Sequence, residues 1–243
     1  MIDISDLTVT YGKKVAVQGF NLRINDGEHI ILMGPNGSGK TTVLKAILGL
    51  VPHKGEIRID GREVSSLSRR ELARKVAYVP QIFSTLYTFS VREFISMGLY
   101  SVTKDWSSDD ERVAEAMRRV RLWELRDRNI SNISGGELQK AVIARALVQD
   151  SKYIMMDEPT AHLDIKSTKE VLEIVDSLDE KGVVIVSHDI SALNKIKGTL
   201  VLMKEGKLKY VGYKGDSSLT EKMEEVFELS VEDVNGTLLF QLS

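Results

Sequence analysis

The 243-residue chain contains no cysteine, which excludes a disulfide framework, a thiolate zinc site and a thiol nucleophile. Proline and glycine are sparse, at 4 and 18 residues, so collagen-like and low-complexity organisations are excluded as well. No sign of charge dominates: 33 Lys and Arg stand against 35 Asp and Glu, a net charge of −2. That balance argues against a broad electrostatic footprint for nucleic acid and leaves room only for a local patch. The longest apolar runs hold about five residues, far below the ~20 that span a bilayer. The opening Met1-Ile2-Asp3-Ile4-Ser5-Asp6 carries acids where a secretory leader carries bases. The expectation is a soluble, intracellular chain; if it works at a membrane, another subunit supplies the span. What is present is enough for a sizeable core, 42% hydrophobic against 28% charged residues, in one large domain or two joined lobes.

Two kinds of strand signal occur. Phe20-Asn21-Leu22-Arg23-Ile24 and Lys207-Leu208-Lys209-Tyr210-Val211 alternate, as half-exposed antiparallel strands do. Ile30-Ile31-Leu32-Met33, Tyr153-Ile154-Met155-Met156 and Val183-Val184-Ile185-Val186 are unbroken apolar runs that suit strands buried on both faces of a parallel sheet. Helical patterns follow at 40–48, 167–178 and 191–195. Between 90 and 148 the strand signal fades, while Ser90-Val91-Arg92-Glu93 and Ser108-Asp109-Asp110-Glu111 both fit a capping box. This middle stretch reads as a helical insertion in an α/β core. A last amphipathic helix through Leu219, Met223, Val226 and Phe227 is expected to open on Ser218 and Glu221.

Gly34-Pro35-Asn36-Gly37-Ser38-Gly39-Lys40-Thr41 matches G-x-x-x-x-G-K-[ST] at every fixed position, after a buried strand and before a helix. Glycines 34, 37 and 39 allow a loop whose N–H groups point at one anion, and the helix start adds partial positive charge. Lys40 reaches the β and γ phosphates, and Thr41 offers a hydroxyl to Mg²⁺. A second buried strand ends in Asp157-Glu158: Asp157 suits the metal, Glu158 the activation of a water. Gln81 and His188 also end strands, so four strand ends converge on one crevice if the strands are parallel. There Gln81 can reach Mg²⁺ or the lytic water, and His188 can donate to the γ phosphate. Ile133-Ser134-Gly135-Gly136-Glu137 opens another helix. It is either a well-capped helix start or a second phosphate seat that closes on the nucleotide, within one chain or across two.

Together these motifs resemble the nucleotide-binding subunits of ATP-binding cassette (ABC) transporters over residues 2–215. The resemblance makes 34–41 the Walker A loop, Asp157-Glu158 the end of Walker B, Ser134-Gly135-Gly136 the signature, Ala161-His162-Leu163-Asp164 the D-loop, Gln81 the Q-loop residue and His188 the switch histidine. It places Tyr11 against adenine and adds Asn36, Gly37, Ser38, Gly39, Thr42 and Asp164 to the nucleotide contacts. The implied fold is α/β: a P-loop ATPase core with a mainly parallel sheet, an N-terminal antiparallel β subdomain and an inserted α-helical subdomain. The implied boundaries are 1–85 and 150–215 for the core, 86–149 for the helical part and 216–243 for an extension.

The same resemblance implies ATP and Mg²⁺ as cofactors and a head-to-tail dimer closing on two ATP molecules. It also implies a membrane permease whose coupling helix sits in a groove beside Gln81, over 82–98, and indirectly an extracytoplasmic binding protein. Attachment would be peripheral, at the cytoplasmic face. Glu137 stands where the family more often has Gln, and Ile133 where Leu is commoner. The stretches Ala77-Tyr78-Val79-Pro80-Gln81 and Phe89-Ser90-Val91-Arg92-Glu93-Phe94 resemble ATPases of iron-chelate and cobalamin importers, with haem import of the same type. A soluble cassette of the iron–sulphur cluster assembly type shares every nucleotide motif and stands as the alternative. A DNA-maintenance cassette needs long coiled-coil arms that an insertion of about 60 residues does not provide. Arg118, Arg119, Arg121, Arg126 and Arg128 read as a solvated face with interleaved acids, so no nucleic-acid partner is expected. A P-loop kinase fits neither the second glycine-rich helix start nor the acidic pair.

Overall fold

The computed structural model describes residues 1–81, 88–101, 110–188, 190–234 and 237–241. Its central sheet has six strands. Four of them are the buried runs and their neighbour: β3 (His29–Met33), β6 (Val76–Val79), β7 (Tyr153–Asp157) and β8 (Gly182–Val186). With β9 (Thr199–Lys204) they lie parallel, and β10 (Lys207–Tyr213) adds an antiparallel edge, in the order β10-β9-β3-β8-β7-β6.

The apolar runs divide between the two faces of this sheet by strand alternation. Ile30, Leu32, Met155, Val184 and Val186 enter one core, and Ile31, Met33, Ile154, Met156 and Ile185 the other. The first core is closed by α1 (Lys40–Ile47) and by an antiparallel sheet of β1 (Ile2–Tyr11), β2 (Lys14–Ile24), β4 (Lys54–Ile59) and β5 (Arg62–Glu63). Between this sheet and β6 lies α2 (Arg69–Lys75), opened by a Ser68–Glu71 capping box that the sequence reading did not single out.

The second core is covered by helices. The stretch between β6 and β7 supplies α3 (Val91–Ser96), α4 (Asp110–Arg119) and α5 (Gly135–Val148), and holds no described strand beyond a single bridge of Ser90 to Asn129. Ser90 caps α3 as expected, with Glu93 reaching back. The Ser108 cap lies outside the described residues. Further helices are α6 (Ile165–Asp176), α7 (Ile190–Lys195) and α8 (Leu219–Phe227). α8 starts at Leu219 with Ser218 at its N-cap position, as expected, but Ser218 has helical dihedrals and its side chain makes no cap bond. A capping serine needs extended backbone to aim its oxygen at the N3 amide, and Ser218 lacks it. After α8 comes a ribbon of β11 (Ser230–Val234) and β12 (Thr237–Gln241), joined to neither larger sheet. Of the arginine face, Arg118, Arg119, Arg121 and Arg128 are exposed as read and Arg126 is half-buried; Arg118 and Arg126 both lie over the Trp123 ring and pair with Glu111 and Asp127. None of the described helices is long and apolar enough to cross a membrane.

Candidate functional site

Parallel strands bring their carboxyl ends to one edge of a sheet, where loops leave room for a ligand. At that edge β3, β6, β7 and β8 surround a cavity of about 660 Å³ lined by Tyr11, Asn36, Gly37, Gly39, Lys40, Thr41, Thr42, Gln81, Glu158 and His188, among others. Each of those ten was singled out in the sequence.

The glycine loop is held by backbone. Gly34 (φ 151°), Gly37 (φ 80°) and Gly39 (φ 100°) all occupy conformations that L side chains rarely adopt. A Cβ on Gly34 would stand 2.1 Å from the Met203 carbonyl, and one on Gly39 2.5 Å from that of Ala16, so β9 and β2 pack directly on the loop. Lys40 is buried and its ammonium donates to the Gly34 and Pro35 carbonyls at 2.7 and 3.0 Å. Burial pulls its pKa down, while Glu158 and Asp157 pull it back up. Ser38 is buried with its Oγ inside the loop near Gly34 and without a hydrogen-bond partner among the described residues. A buried hydroxyl left without a partner costs about 1–3 kcal/mol, and an anion oxygen in the loop would remove that cost. α1 begins here with no side-chain cap and no acid in its first turn, so its N–H groups stay available to an anion.

The acids sit one above the other. Asp157 is buried below the cavity, where Thr41 Oγ1 donates to its Oδ1 at 2.9 Å and the Tyr78 hydroxyl to its Oδ2 at 3.4 Å. Burial pushes the Asp157 carboxyl up, against the Thr41 bond, and pushes the Tyr78 hydroxyl up to about 12. At Glu158 the chain turns: φ is 48°, and its N–H donates to the Val186 carbonyl at 2.9 Å. The turn lifts the second carboxylate into the cavity, where strand alternation alone would have sent it to the opposite face. There the Gln81 amide donates to Oε2 at 2.8 Å and His188 Nδ1 lies 3.2 Å from Oε1. Gln81, Glu158 and His188, from three separate strands, therefore form one hydrogen-bonded set.

The donors also suit a magnesium ion. Thr41 and Asp157 are in contact, Gln81 lines the same cavity, and no cluster of three or more His, Cys, Asp or Glu forms a protein-only cage among the described residues. Mg²⁺ characteristically takes one or two protein oxygens and completes its shell with phosphates and waters.

Four predicted residues lie apart from the cavity. Ser134, Gly135 and Gly136 start α5, and Ser134 forms a capping box with Glu137, whose pKa the Ser134 backbone N–H holds down. The two glycines differ. A Cβ on Gly135 would meet open space, whereas one on Gly136 would stand 2.3 Å from Ser167 Oγ. Asp164 caps α6 through the same Ser167, accepting from its N–H at 2.9 Å and its Oγ at 2.8 Å. Asp164, Ser167 and Gly136 thus make one packed corner, separate from the cavity.

The sequence reading passed over Lys14, Ala16, Ala161 and His162 as lining residues. Lys14 pairs with Tyr11 across the β1–β2 turn, so the hairpin register would have found it, whereas Ala16 sits where that register shifts, between the pairs Thr10–Val15 and Val9–Val17. His162 adopts φ 62°, a turn conformation that sequence alone does not announce.

A family model described as ABC transporter matches residues 17–161. The chain is 34% identical over 238 residues to the hemin import ATP-binding protein HmuV of Rhizobium meliloti (strain 1021), covering 93% of this chain and 91% of that protein. It is similar in structure to a chain described as a metal-chelate type ABC transporter in an inward-facing conformation, with TM-score 0.82, 25% identity, and coverage of 99% and 95%. It is likewise similar to the ATP-binding cassette MJ0796, solved as a dimer in a post-hydrolysis state with ADP and Pi, with TM-score 0.75, 27% identity, and coverage of 88% and 98%.

Proposed function

This chain belongs to the ABC transporter family, and from that premise we propose that it is the ATP-hydrolysing subunit of an importer for iron chelates, haem or cobalamin. The observation that carries the hydrolytic part is the set at the sheet edge: Glu158 held between Gln81 and His188, with Lys40 in the glycine loop behind it. The relatives named above support the importer part.

ATP enters with its base against Tyr11 and its phosphates in the loop 34–41. The β and γ phosphates replace the Gly34 and Pro35 carbonyls as partners of Lys40. Thr41, Asp157 and Gln81 would hold Mg²⁺, which when bound neutralises charge developing on the transferred phosphoryl group. Glu158 accepts a proton from the water that attacks the γ phosphorus, and Gln81 orients that water. His188, at present on Glu158, moves its hydrogen bond to the γ phosphate as charge grows there. Ser134, Gly135 and Gly136, outside the cavity, belong to the ATP held by a second copy. That copy closes head to tail, and its Asp164 corner lies at the same seam. Hydrolysis reopens the pair and so moves the permease. The permease's coupling helix would dock beside Gln81; 82–87 of the expected groove lie outside the described residues. The subunit would thereby be held peripherally at the cytoplasmic face.

The test is affinity purification of tagged Glu158→Gln from detergent-solubilised cells of the native host. This variant is expected to bind Mg-ATP, hydrolyse it ~10²–10⁴ times more slowly than wild type, and stay closed on its permease. A polytopic membrane protein at equal stoichiometry is the expected result. Soluble partners alone would overturn the importer reading in favour of an assembly-factor ATPase, and wild-type turnover in the variant would overturn the role of Glu158.

A further inference from the structure

The ribbon β11–β12 pairs with neither larger sheet, and two-stranded ribbons are marginal by themselves in water. What orders it is the packing beneath. Val231 and Leu238 are buried in the same core as Ala192 and Ile196, in and just after α7, and as Met223 and Val226 of α8. One side chain of α7 then joins the two elements by polar bonds. Asn194 Nδ2 donates to the Leu238 carbonyl at 3.3 Å, and its Oδ1 accepts from the Leu238 N–H at 3.2 Å. Asn194 therefore acts on β12 as a strand neighbour would, with a reciprocal pair that fixes both distance and rotation. The ribbon's other strand is tied to α8, where Val231 N–H donates to Glu224 Oε1 at 2.9 Å.

α7 has six residues, too few to hold as a helix without tertiary support. Beside the burial of Ala192 and Ile196, its other polar ties among the described residues are at the surface: Lys195 lies 3.8 Å from Glu173, and the Lys197 N–H donates to Asp176 at 3.2 Å. Only one residue separates α7 from His188. On its other side the chain is fixed by the Ser187 N–H, which donates to the Leu32 carbonyl at 3.1 Å. His188 thus lies in the chain between the end of β8 and the start of α7.

We infer that Asn194 is a positioning residue for His188, and that the β11–β12 ribbon serves through it as a clasp on the switch segment. The inference rests on the hydrolytic reading above. It gives the residues beyond 216 a part in the ATPase cycle: whatever lifts the ribbon from α7 detunes turnover without touching the nucleotide.

The test is Asn194→Ala, in the wild-type and in the His188→Ala background, read as turnover at saturating ATP and as KM. In the wild-type background kcat is expected to fall by between about 3-fold and ~10²-fold, as displacement of a catalytic group by up to ~1 Å does, with KM unchanged. In the His188→Ala background the same substitution is expected to change kcat by less than about twofold, because the group it positions is gone. Equal losses in both backgrounds, or none in either, would overturn the inference, since a general loss of stability does not depend on His188. Amide exchange from Ser187 to Lys195 supplies a readout independent of activity. Exchange there is expected to quicken in Asn194→Ala while α1 stays as in wild type; exchange quickened only within the ribbon would also overturn the clasp. Should wild-type protein hydrolyse no ATP, the hydrolytic reading fails, and the exchange measurement still decides the clasp.

Discussion

Two helix starts in this molecule share glycines and differ in everything else. α1 begins on Gly39 in the left-handed region, with no side-chain cap and no acid in its first turn. Its unpaired N–H groups face a cavity that already contains Lys40 and Thr41. α5 begins on Ser134 with extended backbone, closed by a reciprocal Ser134–Glu137 box that puts a carboxylate in the first turn. An open helix start is an anion seat ready to fill, and a boxed one has given part of its donor capacity to its own side chains. In the proposed head-to-tail pair, this difference would have nucleotide bind first at α1 of one chain and α5 of the other meet a phosphate already in place. Ser134 would then have to release its hydroxyl from Glu137 to meet that phosphate.

The largest effect expected from breaking this contrast is at α1. Lys40→Ala removes the only buried ammonium lining the cavity among the described residues. A hydrogen bond to a charged group is worth about 1.5–3 kcal/mol, so ATP affinity should fall roughly 10- to 10²-fold, measured by calorimetry. Affinity within a factor of about two of wild type would refute the seat at α1. Next come the two α5 glycines, which the geometry separates. Gly136→Ala places its methyl against Ser167 and should cost about 1–3 kcal/mol in denaturant unfolding, through loss of the α5–α6 corner. Gly135→Ala meets open space and has no positive φ to strain it, so stability should hold or rise by about 0.4–1 kcal/mol. In a Glu158→Gln background Gly135→Ala should still load ATP yet form less of the closed dimer by light scattering. Equal destabilisation by both substitutions would show that the corner is not where the packing lies.

How much of this was legible in the sequence follows from the range of the physics. The loop 34–41, the buried runs and the Ser90 and Ser134 boxes are local patterns, and the structure has each where the residues place it. The assembly of Gln81, Glu158 and His188 was legible only through the rule that parallel strands share an edge, and it needed the turn at Glu158 to complete it. Ser218 looked like a cap because a serine stood three residues before a glutamate, but the preceding chain gives it helical backbone. The ribbon β11–β12 was not foreseen. Ser230 to Val234 alternates only weakly, and its order comes from α7 and α8, which are distant side-chain contacts that no window of sequence contains. The division between Gly135 and Gly136 is of the same kind, since Ser167 lies 31 residues beyond Gly136 in the chain.

The smallest expected effect bears most directly on the contrast between an open and a boxed start. Glu137 accepts from the Ser134 N–H and Oγ at 2.7 and 2.8 Å, and the first of these bonds is the main reason its pKa lies below the ordinary 4.5. A carboxyl with a lowered folded pKa contributes stability that is fully present above its unfolded value and is lost as the pH falls through the folded one. The box should therefore be intact at neutral pH and weaken below about 4.5, whereas α1, with no acid in its first turn, has no such term. Glu137→Gln keeps an acceptor and removes the titration. Because Glu137 is partly exposed, the wild-type advantage at pH 7 should be only about 0.3–0.5 kcal/mol, seen as a difference in denaturant midpoint. That difference should begin to shrink as the pH falls below the unfolded value of ~4.3 and reach zero only once the pH has passed below the lowered folded pKa. A difference that stays constant with pH would mean that the carboxylate charge does nothing for the box. The contrast with α1 would then rest on the hydrogen bonds of the box alone.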